Sequence, residues 1–536
     1  MEITNNWLLP ALILVPFIAG FICWLVDKLD RHLPRYIALV GMVVTLLLTI
    51  ALWQTGDFTY ALGNKAPTWA AEFYVPWIQT LGINIHLAVD GLSLLMVGLT
   101  ALLGILAVGC SWGEIQKNVG FFHLNLLWSL GGVIGVFLAI DLFLFFFWEM
   151  MLVPIYFLIA LWGHKGADGK SRVYAATKFF IYTQVAGLIM LIGILGLVVY
   201  GYMMTGMIGF DYNYLLGVAN TLDAQLPSVA YALMICMFIG FAVKLPVFPL
   251  HGWLPDAHAQ APTAGSVDLA GILIKTAAYG LLRFVIPFFP AASAQFADIA
   301  IILGLIGVFY GAWCAFQQTD MKRLLAYTSI SHMGFVLLAL YAGNILTFQG
   351  LMIMMLAHGL SSAALFIMCG QVYERLHTRD LRQMGGIRGQ FQYLSFFLMF
   401  FVAALVGIPG LGNFIGEFLI LMGSFGKFPT FTILAAISLV MAGLYGLILI
   451  HKALFGTPNE EQKQHYTNPL KDLNAREIVI LLICAFGLLW LGIFPQSFLD
   501  ISNSSMAWLA NSYIPVQETV EVVQQATTQL ENVEIQ

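Results

Sequence analysis

Long apolar runs separated by short polar breaks follow one another along almost the whole chain. A helix needs about 20 residues to cross roughly 30 Å of hydrocarbon, and these runs have that length. The pattern predicts an all-α polytopic membrane protein with about fourteen transmembrane helices. The predicted spans are residues 7–26, 36–53, 87–111, 121–138, 141–162, 174–200, 229–252, 264–286, 297–316, 322–342, 346–371, 393–424, 430–454 and 477–497.

Two of these spans, the seventh and the twelfth, are predicted to be discontinuous. In the seventh, Lys244 is followed by Pro246 and Pro249, and in the twelfth the Gly- and Pro-rich residues 407–412 precede Glu417. Transporters use such interrupted helices at ion sites near the middle of the membrane. Because the two interruptions are five spans apart, they predict two five-helix repeats, of which the second is inverted.

The pattern divides the chain into five parts. Residues 1–115 hold the first three spans, residues 116–290 the first repeat and residues 291–456 the second repeat. Residues 457–500 form a loop and the last span. Residues 501–536 are polar and acidic, so we expect a loosely ordered external tail with no long amphipathic helix, containing Glu518, Glu521, Glu531 and Glu534.

Composition supports the membrane assignment and limits the chemistry. Hydrophobic residues make up 60% of the 536 residues and charged residues 10%, whereas soluble domains are about 25% charged. The six cysteines are isolated, without a C-x-x-C pair, and no G-x-G-x-x-G motif opens a helix after a strand. We therefore expect no metal, nicotinamide or flavin bound by this chain, and no nucleic-acid partner.

The basic residues alternate between loops, as expected when cytoplasmic loops collect Lys and Arg. The other side holds only Lys65, Arg283 and Lys427. This pattern predicts that both termini face away from the cytoplasm. The basic side collects Lys28, Arg31, Arg35, Lys117, Lys165, Lys170, Arg172, Lys178, Lys322, Arg323, Arg375, Arg379, Arg382, Arg388, Lys452, Lys463, Lys471 and Arg476.

Only Lys244 and Lys275 are left over, and both fall inside predicted spans. A cation near the bilayer centre costs at least about 2.5 to 3.5 kcal/mol, so each needs a partner, a hydrated cavity or a task. A lysine that extends to the nearest interface is the structural alternative. Glu149 is a buried acid with no polar neighbour in sequence, and we expect Lys244 to be its cation.

Histidines in the second half of the chain are candidates for carrying protons, because the unperturbed imidazole pKa lies near 6.5. His332 and His358 fall inside spans, where each is equally well explained as a hydrogen-bonded packing histidine. The relay interpretation is favoured because Lys275 and Glu417 lie in the same half of the chain. His251 and His258 lie near the loop after the seventh span, where a loop role is expected.

The stretch from Lys244 to Arg283 resembles the proton-conducting antiporter family, and the likeness extends to about residue 497. That family includes three antiporter-like subunits of respiratory complex I and subunits of cation/proton antiporters. Residues 121–125, 147–154 and 320–329 resemble the complex I branch in which the twelfth span carries Glu, as at Glu417, rather than Lys.

The resemblance implies roles for the buried groups. Glu149 and Lys244 would be the acid and base of one half-channel, Lys275 the central group and Glu417 the exit group of the other half-channel. His332 and His358 would link them in the hydrated path.

The resemblance also implies the setting: the inner membrane of a bacterium, beside other membrane-arm subunits of complex I that include two related antiporter-like ones. NADH, FMN, iron–sulfur clusters and quinone would then be bound by other subunits. Two alternatives stay open. One is a cation/proton antiporter without a redox partner, and the other is a non-conducting scaffold, against which the buried charges argue.

Overall fold

The computed structural model of the chain describes residues 5–58, 67–142, 145–164, 169–457 and 471–513. Lys65, Lys165, Lys463 and the acidic residues of the expected tail lie outside this part. The helices and strands are α1 (Leu8–Val26), α2 (Leu33–Thr55), β1 (Ala71–Ile78), β2 (Ile83–Val89), α3 (Gly91–Glu114), α4 (Val119–Leu138), α5 (Phe145–Met150), α6 (Leu152–Trp162), α7 (Arg172–Thr205), α8 (Tyr212–Gln225), α9 (Pro227–Lys244), α10 (Leu254–Gln260), α11 (Thr263–Phe288), α12 (Pro290–Gln317), α13 (Met321–Ala342), α14 (Ile345–Leu376), α15 (Ile387–Gln390), α16 (Gln392–Leu405), α17 (Gly412–Phe425), α18 (Pro429–Phe455), α19 (Ala475–Ile493) and α20 (Gln496–Tyr513).

The predicted all-α polytopic fold is confirmed. Among the described residues, twelve helices are long and apolar enough to cross a membrane. The predicted spans 141–162 and 393–424 each consist of two shorter helices, α5 with α6 and α16 with α17. The number of helices that cross the bilayer and the inversion of the two repeats stay predictions.

Burial separates inner from outer helices. The apolar windows of α11 and α14 are 100% buried within the protein, whereas those of α2 and α18 are 33% buried. An apolar helix that exposes most of its surface is typical of contact with lipid. The innermost helices, α11 and α14, are the ones that carry Lys275 and His358.

Both predicted interruptions are present. Helix α9 ends at Lys244 rather than at residue 252, because Pro246 and Pro249 provide no backbone N–H to continue it. Between α16 and α17, Gly407 and Gly410 have φ angles of +74° and +95°, which residues with a Cβ rarely adopt. Helix α11 is continuous but contains π-helical turns at 269–273 and 281–285.

The basic loops meet at one end of the helices, which we call the basic end. Arg35 donates to the carbonyl of Ile115 at 2.7 Å, Lys322 to that of Ala261 at 2.8 Å, and Arg379 to that of Ala259 at 2.5 Å. The hydrogen bond from Arg379 to Ala259 joins a loop to helix α10, 120 residues away in the sequence. Which side of the membrane this end faces stays a prediction.

The opposite end holds elements that the apolar runs did not predict. Strands β1 and β2 form an antiparallel hairpin, and helix α8 precedes α9. The expectation of a loose tail from residue 501 is wrong for residues 501–513. They are helical in α20, whose Met506, Leu509 and Tyr513 are buried because the helix presents an apolar face to α3 and α14.

Candidate functional site

Lys244 is the last residue of α9 and is completely buried. Its ammonium lies 3.5 Å from the ring centroid of Trp148 and donates to the Trp148 carbonyl at 3.3 Å. A cation is favoured at the carboxyl end of a helix and above the face of an indole ring. The broken span therefore holds Lys244 without a full opposite charge in contact.

Glu149 follows Trp148 directly, so its carboxyl lies near Lys244. The expected ion pair is not formed: within the described part of the chain, no Glu149 oxygen lies within 4.0 Å of the Lys244 nitrogen. One carboxyl oxygen, Oε1, is buried and has no hydrogen-bond partner among the residues that the structure describes. Because Trp148 supplies both the ring and the carbonyl that hold the ammonium, the two charged groups are neighbours rather than contact partners.

Lys275 is also completely buried and lies just after the first π-helical turn of α11. Its Nζ donates to the carbonyl of Ala270 within that turn and lies 2.8 Å from Nδ1 of His358. π-Helical turns are rare and occur frequently at functional sites. The structural alternative, a lysine extended to an interface, is excluded by this burial.

His332 and Glu417 are in direct contact. Nδ1 of His332 lies 2.9 Å from Oε1 of Glu417, and Nε2 lies 3.1 Å from the hydroxyl of Tyr445. Glu417 is 3% exposed and its carboxyl faces the break in the twelfth span. A Cβ at Gly407 would lie 2.8 Å from Oε2 of Glu417, so glycine leaves room for this carboxyl.

The two histidines join these contacts into one line of protonatable groups. The rings of His332 and His358 are 5.5 Å apart between centroids. Nε2 of His358 is buried and, in the described part of the chain, has no hydrogen-bond partner. The line therefore runs from Lys275 through both imidazoles to Glu417, with one gap that a water molecule or a ring rotation can close.

Four buried residues were either predicted to lie in loops or not predicted from the sequence at all. Arg283, expected in a loop, is completely buried in α11 and forms an ion pair with the equally buried Asp90. His258, also expected to have a loop role, is buried in α10 and stacks on Phe366 at 4.5 Å. Asp268 is buried in α11. The cost of a charge inside an apolar run would have identified Asp90 and Asp268, because both lie within predicted spans.

The side chains of the described ranges form no metal centre. These ranges contain no group of three or more His, Cys, Asp or Glu side chains arranged to hold a metal ion. The buried acids, amines and imidazoles that are in hydrogen-bond contact are groups that can exchange protons.

A family described as "NADH:quinone oxidoreductase/Mrp antiporter, TM" matches residues 139–445. The chain is 58% identical over 503 residues to NADH-quinone oxidoreductase subunit M of Pseudomonas aeruginosa, covering 93% of this chain and 96% of that protein. It is also 58% identical over 510 residues to the subunit M of Escherichia coli K12, covering 94% of this chain and 99% of that one.

Solved structures share the fold. A chain in the respiratory complex I of Thermus thermophilus with bound NADH superposes with a TM-score of 0.81 at 27% identity, covering 95% of this chain and 100% of that one. A chain of the Mrp complex from Dietzia sp. superposes with a TM-score of 0.78 at 20% identity, covering 95% and 98%. The second likeness concerns the fold alone.

Proposed function

Because the chain belongs to the NADH:quinone oxidoreductase/Mrp antiporter family of membrane subunits, we propose that its buried line of groups carries protons across the membrane. The chain is an antiporter-like membrane subunit of an NADH:quinone oxidoreductase of the complex I type, of the kind called subunit M. The observation that carries the proposal is the contact line of Lys275, His358, His332 and Glu417, which ends at the break between α16 and α17.

The first half of the path uses Glu149 and Lys244 as an electrostatic switch. A neighbouring carboxylate favours the charged ammonium, whereas burial away from water favours the neutral amine. When the attraction between the Glu149 carboxylate and the Lys244 ammonium weakens, Lys244 releases its proton toward Lys275. The absence of a contact ion pair keeps this balance adjustable, because the interaction changes with a small movement of either side chain.

The second half moves the proton from Lys275 to Glu417. Lys275 passes it to Nδ1 of His358, and the His358 ring then releases a proton from Nε2. That proton crosses the gap to His332 through a water molecule, or directly when the His332 ring turns away from Tyr445, and His332 delivers a proton from Nδ1 to Glu417 at the break between α16 and α17. The hydroxyl of Tyr445 holds the imidazole of His332 in position from the other side. Moving one charge against the membrane potential costs about 2.3 kcal/mol per 100 mV, so quinone reduction in other subunits must supply the energy.

The assembly follows from this role. The chain would do no redox chemistry, and NADH, FMN, iron–sulfur clusters and quinone would be bound elsewhere in the complex. Its neighbours would be membrane-arm subunits, including two related antiporter-like ones. The basic end would face the cytoplasm and both termini would face away from it, since Lys and Arg collect in cytoplasmic loops.

The test is Glu149→Ala in the assembled complex, with NADH-driven quinone reduction and proton pumping measured in sealed vesicles and assembly checked on a native gel. Collapse of both activities in an assembled complex supports the coupled proton path and ends the scaffold alternative. Normal turnover with normal pumping contradicts it. Pumping that requires a Na⁺ or K⁺ gradient instead would favour the cation/proton antiporter.

A further inference from the structure

A buried carboxyl on α11 has no place in the path described so far. Asp268 is completely buried, and its Oδ2 lies 2.5 Å from the hydroxyl oxygen of Ser129 on α4. Within the described ranges, its buried Oδ1 has no hydrogen-bond partner, and no Lys, Arg or His pairs with the carboxyl group. Burying a carboxylate with one hydrogen bond and no cation is costly, so the acid form or a transient partner must relieve that cost.

Packing alone does not explain an acid here. Other buried hydroxyls, such as those of Thr45, Thr49 and Thr100, are satisfied by the backbone carbonyl one helical turn earlier. Ser129 could do the same, and an asparagine at position 268 would offer it a partner without a titratable proton. An ionisable group at membrane depth is by default a functional candidate.

Lys275 lies on the same helix, seven residues further on and about 10 Å along the axis. Its ammonium contacts the Ala270 carbonyl and His358, but among the described residues no carboxylate lies within ion-pair distance. The π-helical turn at 269–273 occupies the interval between the two groups. Among the described residues, helix α11 thus carries a buried acid, Asp268, with no basic partner, and a buried base, Lys275, with no acidic partner.

A cavity at the basic end reaches the beginning of this helix. It has a volume of about 350 Å³ and is lined by Glu114, Thr263, Lys322 and seven further residues. Thr263 is the first residue of α11, and its backbone N–H donates to Glu114 at 3.1 Å. Asp268 lies five residues further along the helix, which corresponds to about 7 Å.

We propose that Asp268 is the proton donor of Lys275, and that it is recharged from the cavity at the basic end. The O–H bond of the Asp268 carboxylic acid breaks, a proton passes through water beside the π-helical turn, and an N–H bond forms on the neutral Lys275 amine. This leaves a carboxylate and an ammonium on one helix. The Ser129 hydroxyl donates to the carboxylate until a second proton from the cavity restores the acid.

This inference rests on the proposed function and adds to it a second proton inlet at Lys275, which works in every turnover together with Glu149 and Lys244. The two inlets differ in geometry. Glu149 and Lys244 lie on separate helices, α5 and α9, whereas Asp268 and Lys275 share one helix and keep a fixed spacing. Lys275 passes on the proton that it receives from Lys244, and Asp268 then returns a proton to the neutral Lys275 amine, so the loss of either inlet stops the cycle.

The test is Asp268→Asn in the full complex, which keeps the shape and the bond to Ser129 but cannot release a proton. NADH-driven pumping in sealed vesicles should fall about 10²-fold, and Asp268→Glu should restore most of it. The matched control is Asp223→Asn. Asp223 is a buried acid at the opposite end whose oxygens accept the N–H groups of Ala291 and Ala292, so this variant should pump normally.

Normal pumping by Asp268→Asn would overturn the inference. If that variant does not assemble, Asp268→Glu provides the measurement: a displaced pH profile of pumping supports a titrating group at 268, and an unchanged profile overturns it. Lys275→Met distinguishes failure of this inference from failure of the proposed function. If Lys275→Met stops pumping and Asp268→Asn does not, only this inference fails, whereas normal pumping by Lys275→Met removes the proposed function as well.

Discussion

Charged groups at the basic end and in the interior are held in opposite ways. At the basic end, the Asp256 carboxylate contacts Lys178 at 2.7 Å, Arg323 at 2.8 Å and Lys170 at 2.9 Å. In the interior, Lys244 contacts an indole ring and a carbonyl, and Lys275 contacts a carbonyl and an imidazole. A direct opposite charge fixes the protonation state of a group, whereas neutral partners leave it free to change.

Burial within the protein is not what separates the two classes. Arg283 and Asp90 are both completely buried, yet they form a direct ion pair and belong with the paired charges of the basic end. The pairing of Arg283 with Asp90 holds α11 against the start of α3, where Asp90 also accepts the backbone N–H of Ser93. The comparison therefore predicts that paired charges determine stability and neutral-partnered charges determine pumping.

The largest effect is expected from Arg283→Leu, which leaves Asp90 buried without its cation. Removing one partner of a buried pair costs about 3 to 5 kcal/mol. The amount of assembled complex on a native gel should fall sharply. The double variant Arg283→Leu, Asp90→Asn should recover assembly and pump protons, since the pair has no part in the path. A double variant that assembles but does not pump would show that Arg283 and Asp90 take part in pumping and not only in stability.

Glu417→Gln should lower pumping about 10²-fold with assembly intact, because glutamine can still bond to His332 but cannot exchange a proton. Proton uptake by sealed vesicles during NADH oxidation measures this. The matched control is Glu477→Gln, a buried acid paired with Arg375 at 2.8 Å. If Glu417→Gln pumps normally and Glu477→Gln does not, the paired acid rather than the acid in the buried line is needed for pumping, which contradicts the prediction.

The hairpin at the opposite end provides a paired group that titrates outside the membrane. Burial alone would lower the pKa of His86, but hydrogen bonds to Asp211 and Glu72 raise it to about 9. Because the folded pKa is above the unfolded value near 6.5, the stabilisation is complete below that value and is lost as the pH rises through 9. Its magnitude at pH 7 is on the order of 2 kcal/mol.

Amide hydrogen exchange in β1 and β2 should therefore accelerate between about pH 7 and pH 9 by more than the intrinsic rate increase. His86→Gln removes the titrating group and should abolish this additional acceleration. The same additional acceleration in both proteins would show that His86 does not stabilise the hairpin.

The smallest effect is expected from Lys170→Ala. The Lys170 side chain is 37% exposed, and Asp256 keeps its contacts with Lys178 and Arg323. An exposed ion pair contributes about 0.2 to 1 kcal/mol, so thermal stability and pumping should both stay close to those of the unchanged protein. A severe pumping defect with normal stability would place the basic end in the path.

The sequence predicted the features that have local signals. Lys244 and Lys275 stand out because a lysine inside an apolar run costs free energy to bury in the membrane. Pro246 and Gly407 each indicate the position of a helix break to within a few residues. Those positions lie where the prediction placed them. The roles of these residues as proton carriers stay predictions until they are measured.

Features that depend on packing between distant helices could not be predicted. The pairing of Arg283 with Asp90 joins residues 193 positions apart, and the contact of Tyr445 with His332 joins residues 113 apart. Arg283 was assigned to a loop because it lies near the end of a predicted span. His258 was assigned to a loop because α10 is too short for periodicity to identify.

If the interior lysines work by changing their protonation state, Lys275 cannot be replaced by a residue that is always charged. Arginine keeps the positive charge but does not lose its proton in proteins. We therefore expect the complex with Lys275→Arg to assemble and to pump protons about 10²-fold more slowly than the unchanged complex, as poorly as Lys275→Met. Pumping by Lys275→Arg at the normal rate, with Lys275→Met inactive, would show that a fixed charge is sufficient and that Lys275 does not exchange its proton.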